Sequence, residues 1–379
     1  MRRLLLSAAA LLAFAVPAMA QTPAAAPIVI GHRGASAYRP EHTAMSYKLA
    51  IQMGADFIEP DLVMTKDGVL VARHENEIGR TTDVASHPEF ADRKATRTID
   101  GETFTGWFVE DFTLAELKTL RSRERRPEAR PGSARYDGRE SVFTLQEIID
   151  IAKAGAARGR PVGLYVELKN PDYFRRIGLP MEKALIDVLA ANGLNTADAP
   201  VIIQSFFPSA LIALRQMTPI KLMFLVNSQP PPASILAANH IARWSDVWSP
   251  DGLKKIAAFA DIVGPETQII LPRDAEGRSL PPSAFVADAH AAGLKVHVWS
   301  VNPENLDLPV DLRCGDPTKP GFDHRSGDVQ TEARRLFAQG IDGAFSDAPD
   351  MLAKVRSEGP KAWAAGLASA RSCPSAKAG

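Results

Sequence analysis

The chain has 379 residues, 44 Lys+Arg against 44 Asp+Glu, and 45% hydrophobic residues; so even a charge balance excludes the basic field that draws nucleic acid or anionic lipid. Its two cysteines, Cys314 and Cys373, exclude a disulfide-dense scaffold and a thiolate metal cluster. A small-molecule partner is expected, with no nucleic acid and no stable membrane association.

Residues 1–20, "MRRLLLSAAALLAFAVPAMA", open on Arg2 and Arg3, run through an apolar stretch and close on Ala18-Met19-Ala20. The run is too short for a membrane span of ~20 residues, and the small-x-small ending predicts a secretory signal peptide cleaved after Ala20, with export to the periplasm. Residues 21–26, "QTPAAA", read as a flexible N-terminus. The Ala- and Ser-rich tail 359–379 reads as a helix fraying into a disordered end. In an oxidising compartment the two cysteines can join the loop around 314 to this tail or remain free thiols.

Between these ends, apolar β-branched runs predict strands at 27–32, 55–62, 68–74, 161–169, 200–206, 220–226, 261–265, 294–301 and 341–347. Helical periodicity marks 43–53, 113–120, 144–157, 180–192, 208–217, 282–292, 329–338 and 349–357. Strand and helix alternate almost throughout, which predicts parallel strands joined by crossover helices. A (β/α)8 TIM barrel over 27–358 fits this rhythm better than a doubly wound sheet. No GxGxxG or GxxxxGK[ST] fingerprint opens a helix. Two stretches break the alternation: a charged, irregular insertion at 76–142 and a long loop at 302–327. Each follows a strand, so both are expected at the C-terminal face of the barrel.

Side chains alternate along a strand, which places His32 with Ile28 and Ile30, Glu59 and Asp61 with Phe57, His74 with Ala72, and Glu167 and Lys169 with Tyr165. Each charged residue closes its strand, and in a parallel barrel those ends gather at one mouth. Singly, such residues are ordinary turn or surface groups. Together, burying Glu59, Asp61 and Glu167 costs several kcal/mol by desolvation and mutual repulsion unless a cation sits among them. An all-carboxylate set suits a hard divalent ion, Ca2+ first and Mg2+ second. His32 and His74 can then give and take protons near neutral pH, while Arg33 and Lys169 supply fixed positive charge. That combination suits displacement at a phosphodiester. No G-x-S-x-G elbow offers an acyl-transfer nucleophile.

The motifs "HRGAS", "PEHT", "GADFIEPDLVMTKDGVLVARHE", "FTLQEI", "VELK", "QSF", "VWSVN" and "GIDGAFSDAPD" stand in order between about 28 and 351, and through them the chain resembles the glycerophosphodiester phosphodiesterase family, most closely its bacterial periplasmic members. The resemblance implies a barrel hydrolase that releases sn-glycerol 3-phosphate and an alcohol from substrates such as glycerophosphocholine and glycerophosphoethanolamine. It implies His32 and His74 as the acid–base pair, Glu59, Asp61 and Glu167 as ligands of a divalent cation, and Arg33 and Lys169 as phosphate contacts. Trp299 matches the family's aromatic wall against glycerol; Phe206 either joins that wall or packs in the core. Glu41 either caps the helix that starts near Thr43 or joins the network beside the metal. The family often has Asp where this chain has Glu75, a position that strand alternation turns away from His74.

Two rival classes share some of these features. A phosphodiesterase acting on intact lipid would use the same site behind an apolar or basic rim. A periplasmic solute-binding protein would bind glycerophosphocholine without consuming it.

Overall fold

A computed structural model describes residues 26–230, 243–366 and 373; the predicted signal peptide, most of the lead-in at 21–26 and most of the tail lie outside these residues. The strands are β1 (Ile28–His32), β2 (Phe57–Glu59), β3 (Asp61–Met64), β4 (Leu70–Ala72), β5 (Ala95–Ile99), β6 (Glu102–Gly106), β7 (Gly163–Leu168), β8 (Val201–Ser205), β9 (Lys221–Val226), β10 (Ile262–Pro265), β11 (Lys295–Val298) and β12 (Gly343–Ser346). Going round from β1, the order β2/β3, β7, β8, β9, β10, β11, β12 returns to β1 with every pairing parallel. This closed eight-strand barrel, with helices between its strands, is a (β/α)8 TIM barrel.

Burial follows from the period-two pattern. One face of each strand points inward, where Ile30, Tyr165, Ile202, Met223, Leu225, Ile262 and Phe345 fill the barrel. The alternate positions, such as Val29, Ile58, Val166, Ile203, Val263 and Val296, pack under the helices. Gly163 lets the inner layer close: a Cβ there would lie 2.3 Å from the Phe57 ring. Helix starts follow the expected chemistry. Thr43 caps Ala44–Gln52 by accepting from the Ser46 N–H, and Thr144 with Glu147 forms a capping box at Leu145–Ala157.

Three differences from the sequence reading have local causes. The run 55–62 is two strands, because Pro60 has no N–H and interrupts the ladder; its carbonyl still accepts from the Glu167 N–H at 2.9 Å. The run 68–74 is not a barrel strand. Its core β4 folds back antiparallel on β3, the turn between them carrying Gly68 at φ 78°. The insertion 76–142, expected to be irregular, holds the hairpin β5–β6, whose Asp100-Gly101 turn has φ of 48° and 93°, as two-residue hairpins prefer. The sequence reading also has no element between 226 and 261, where the helix Pro250–Ile256 stands.

The tail is tied down. Cys314 in the 302–327 loop and Cys373 form a disulfide with Cα atoms 5.5 Å apart, and the helix Pro360–Gly366 packs Trp363 edge-to-face on Phe337.

Candidate active site

Strand register assembles the site. His32 lies beside Glu59 across β1 and β2, Asp61 beside Glu167 across β3 and β7, and Glu167 beside Gln204 across β7 and β8. All are at the C-terminal mouth, where a cavity of about 370 Å3 opens among His32, Arg33, His74, Lys169, Phe206 and Trp299. The predicted site residues therefore converge, although His74 arrives from the antiparallel return of β4 and not from a barrel strand.

Glu59, Asp61 and Glu167 are buried, and one oxygen from each lies within 4.8 Å of the other two. The group can hold a metal ion. Burial pushes Glu59 well above the ordinary carboxylate range, with Asp61 and Glu167 adding to the shift. Burial likewise pushes Glu167 up to about 8, against the pull of Lys169. Asp61, despite its burial, is held well below the ordinary range by Lys169 and Arg33. Three charges cannot share this space without a counter-ion. The Asp61 Oδ1 atom is buried without a hydrogen-bond donor, the mark of an oxygen placed for a cation, and the all-oxygen donor set fits a hard one.

The turn after β1 builds the cationic side. Arg33 sits at φ 56°, a left-handed conformation that costs a non-glycine residue roughly 1–2 kcal/mol. In exchange its backbone N–H donates to Glu59 Oε2 at 2.8 Å, and its guanidinium reaches Asp61 Oδ2 at 3.1 Å and Glu41 Oε2 at 3.2 Å. Lys169 Nζ lies 2.8 Å from Glu167 Oε1 and 3.6 Å from Asp61 Oδ1. The same ammonium stands 5.7 Å from the centre of the Phe206 ring, which in turn meets Trp299 edge-to-face at 5.4 Å. Phe206 thus lines the mouth.

Each histidine is oriented through Nδ1, leaving Nε2 for a ligand. His32 Nδ1 bonds Asp347 Oδ1 at 2.6 Å, and Asp347 is anchored by Arg130 at 2.5 Å. His74 Nδ1 bonds Glu75 Oε1 at 2.7 Å. Glu75 therefore contacts His74, contrary to the alternation argument, because β4 ends at Ala72 and the period of two no longer applies. Burial, then Arg33 and Lys169, push His74 down to about 3. Arg125 clamps Glu75 and Glu41 with both carboxylates bidentate, at 2.5–2.8 Å. Glu41 belongs to this network; Thr43, not Glu41, caps the following helix.

Sequence reasoning missed several contributors. Asp347 and Gln204 continue the inward faces of β12 and β8, so the same period-two count would have found them; Gln204 donates to Glu59 Oε1 at 3.1 Å. His42, buried between Tyr47 and Asp61, was legible only as part of "PEHT". Arg125 and Arg130 come from the end of the insertion, 121–142, where the sequence has no periodic signal.

A family model described as the glycerophosphoryl diester phosphodiesterase family matches residues 32–351. The chain is 33% identical over 333 residues to a glycerophosphodiester phosphodiesterase of Arabidopsis thaliana, covering 85% of this chain and 83% of the relative. It is 29% identical to a glycerophosphodiester phosphodiesterase of Bacillus subtilis, covering 87% and 86%. Among solved structures, a Silicibacter pomeroyi protein superposes with a TM-score of 0.62 at 22% identity, covering 89% of this chain and 95% of that one. An Oleispira antarctica phosphodiesterase, solved with the product sn-glycerol-3-phosphate, superposes at 0.55 and 22%, covering 87% and 97%. These last two establish likeness of fold.

Proposed function

The chain belongs to the glycerophosphodiester phosphodiesterase family and is a phosphoric diester hydrolase; from that premise we propose that it cleaves glycerophosphodiesters such as glycerophosphocholine and glycerophosphoethanolamine to sn-glycerol 3-phosphate and an alcohol, in a divalent-cation-dependent reaction. The observation that carries this reading is the buried triad Glu59, Asp61 and Glu167, with oxygens within 4.8 Å of one another, of which Glu59 and Glu167 line a cavity that also exposes His32 and His74.

Glu59, Asp61 and Glu167 would hold the ion, Ca2+ in preference to Mg2+ because the carboxylate-rich set matches the larger ion's oxygen coordination. When bound, it draws charge from the non-bridging phosphate oxygens. Arg33 and Lys169 do the same from the protein side, with no proton to lose at neutral pH. One imidazole accepts the proton of the nucleophile, water or the neighbouring glycerol hydroxyl, while the other donates to the departing oxygen; on the hydroxyl route water then opens the cyclic phosphate. Asp347 and Glu75 each accept from an Nδ1–H and so turn Nε2 toward the substrate, bare on the imidazole that takes a proton and protonated on the one that gives it. Trp299 and Phe206 form an apolar wall suited to the carbon edge of glycerol.

Export to the periplasm is part of the same proposal. The 1–20 leader supports it, and so does the Cys314–Cys373 disulfide, since such bonds persist in oxidising compartments. N-terminal sequencing of the mature protein from cell fractions should begin at Gln21. Among the described residues no helix is long and apolar enough to cross a membrane.

A coupled assay of glycerol 3-phosphate release from glycerophosphocholine tests the activity. Release is expected with Ca2+ or Mg2+ and abolished by chelator; binding without release would return the solute-binding reading, and cleavage confined to intact phospholipid would return the lipid-acting one.

A further inference from the structure

A second cavity, of about 590 Å3, adjoins the first and shares His74, Arg80, Glu167, Lys169 and Phe206 with it. Its outer wall is the β5–β6 hairpin of the insertion, which contributes Asp100, Glu102 and Phe104. The two cavities have opposite charge. Six Arg and Lys side chains line the first against four carboxylates; two line the second against five. Several of those five are already satisfied: Glu77 accepts from the Gly79 and Trp107 N–H groups, Asp100 pairs with Asn170 and Arg176, and Glu75 with Arg125. Glu102 is exposed and makes no ion pair among the described residues. Asn76, a buried residue, belongs to this cavity's wall. Phe104 adds a ring to the same wall.

We propose that this second cavity is the alcohol subsite of the diesterase and that it selects alcohols carrying an ammonium group, held by Glu102 and the Phe104 ring. The inference rests on the diesterase reading and adds its substrate preference. A phosphate lodged at the shared boundary has two ends to place. An ammonium in the first cavity would face a surplus of guanidinium groups, whereas the uncharged glycerol end meets Ser300, Asn302 and Trp299 there. The cationic end therefore turns to the second cavity, where carboxylate attraction and a ring face both favour it.

The test compares kcat/KM for glycerophosphocholine and glycerophosphoethanolamine with that for glycerophosphoglycerol, whose alcohol is neutral, using the full chain with saturating Ca2+. The wild type should prefer the cationic pair, and Glu102→Gln and Phe104→Ala should each lower that preference ratio roughly fivefold, mainly through KM. Glu102→Lys should lower it further. Because Glu102 is exposed in a hairpin, thermal melts should show the Glu102 variants folded; choline chloride as a competitive inhibitor gives a second readout, weakening in both Glu102 variants. Equal kcat/KM for all three diesters in the wild type, or a ratio and choline inhibition unmoved by all three substitutions, would overturn the subsite while leaving the diesterase activity standing. No hydrolysis of any diester would overturn both.

Discussion

At the scale of single residues, the site sets groups whose environments oppose their own charge beside others, such as Asp61, whose neighbours favour it. Glu59 and Glu167 are pushed up by burial, and the cation proposed for them would remove that cost. Thermal unfolding with and without Ca2+ measures this directly: ion at a hundredfold excess over its Kd stabilises a folded state by ~2.7 kcal/mol, and Glu59→Gln or Glu167→Gln should abolish the shift. Replacing His32 or His74 with Ala should lower kcat by about 10²-fold or more. Asp347→Asn, which keeps the shape but removes the charge that orients His32 at 2.6 Å, should lower kcat with little change in KM, because Asp347 acts through the imidazole. An unchanged kcat would mean that Asp347 serves only to pair with Arg130. The side chains that the structure gathers at the mouth are largely those at or just beyond strand ends, where a period of two sets direction. Glu75 was misjudged three residues beyond the end of β4 at Ala72, because a bend had replaced the strand.

Elements explain how a 76–142 insertion and a 302–327 loop become parts of one mouth. Arg130, in the insertion, bonds Glu304 of the long loop at 2.6 Å and Asp347 after β12 at 2.5 Å, so the two irregular segments are joined over the barrel by buried ion pairs that need mutual partners. The disulfide then fastens the long loop to the C-terminal tail, closing a separation of 59 residues. A loop of that length limits the unfolded chain by about 4 kcal/mol at most. A Cys314→Ser/Cys373→Ser double variant, followed by urea unfolding, should lose stability up to that amount while retaining most activity, since Cys314 does not line the catalytic cavity. Equal midpoints for wild type and variant would show that the bond adds nothing. None of this was visible in the sequence, where the stretch around Arg130 and the long loop lack periodicity; the cysteine pair was left open because spacing alone does not set distance.

On the scale of the whole molecule, stability should depend on pH through groups remote from the chemistry. Glu332 is buried in the helix Val329–Ala338, and burial, opposed by Arg273, pushes it up to about 7. Its folded form holds a proton more tightly than the unfolded chain does. The associated stability is fully present below the ordinary value of 4.5 and is lost as pH rises through about 7, on the order of 3 kcal/mol. Glu332→Gln, neutral at every pH, should flatten the unfolding free energy across that window; an unchanged slope would place the titration elsewhere. The alternation of apolar strands with amphipathic helices was enough to determine the barrel, because two-faced burial of a parallel sheet leaves few other arrangements. It also determined which strand-end side chains face inward, since that depends only on the pleat. What tertiary structure alone decided is the company those side chains keep: that β4 turns back to deliver His74, that Asp347, anchored by Arg130, orients His32 from the other end of the barrel sequence, and that a hairpin walls a second cavity of opposite charge. Such contacts join residues as far as 315 positions apart, and local chain propensity carries no information over that distance.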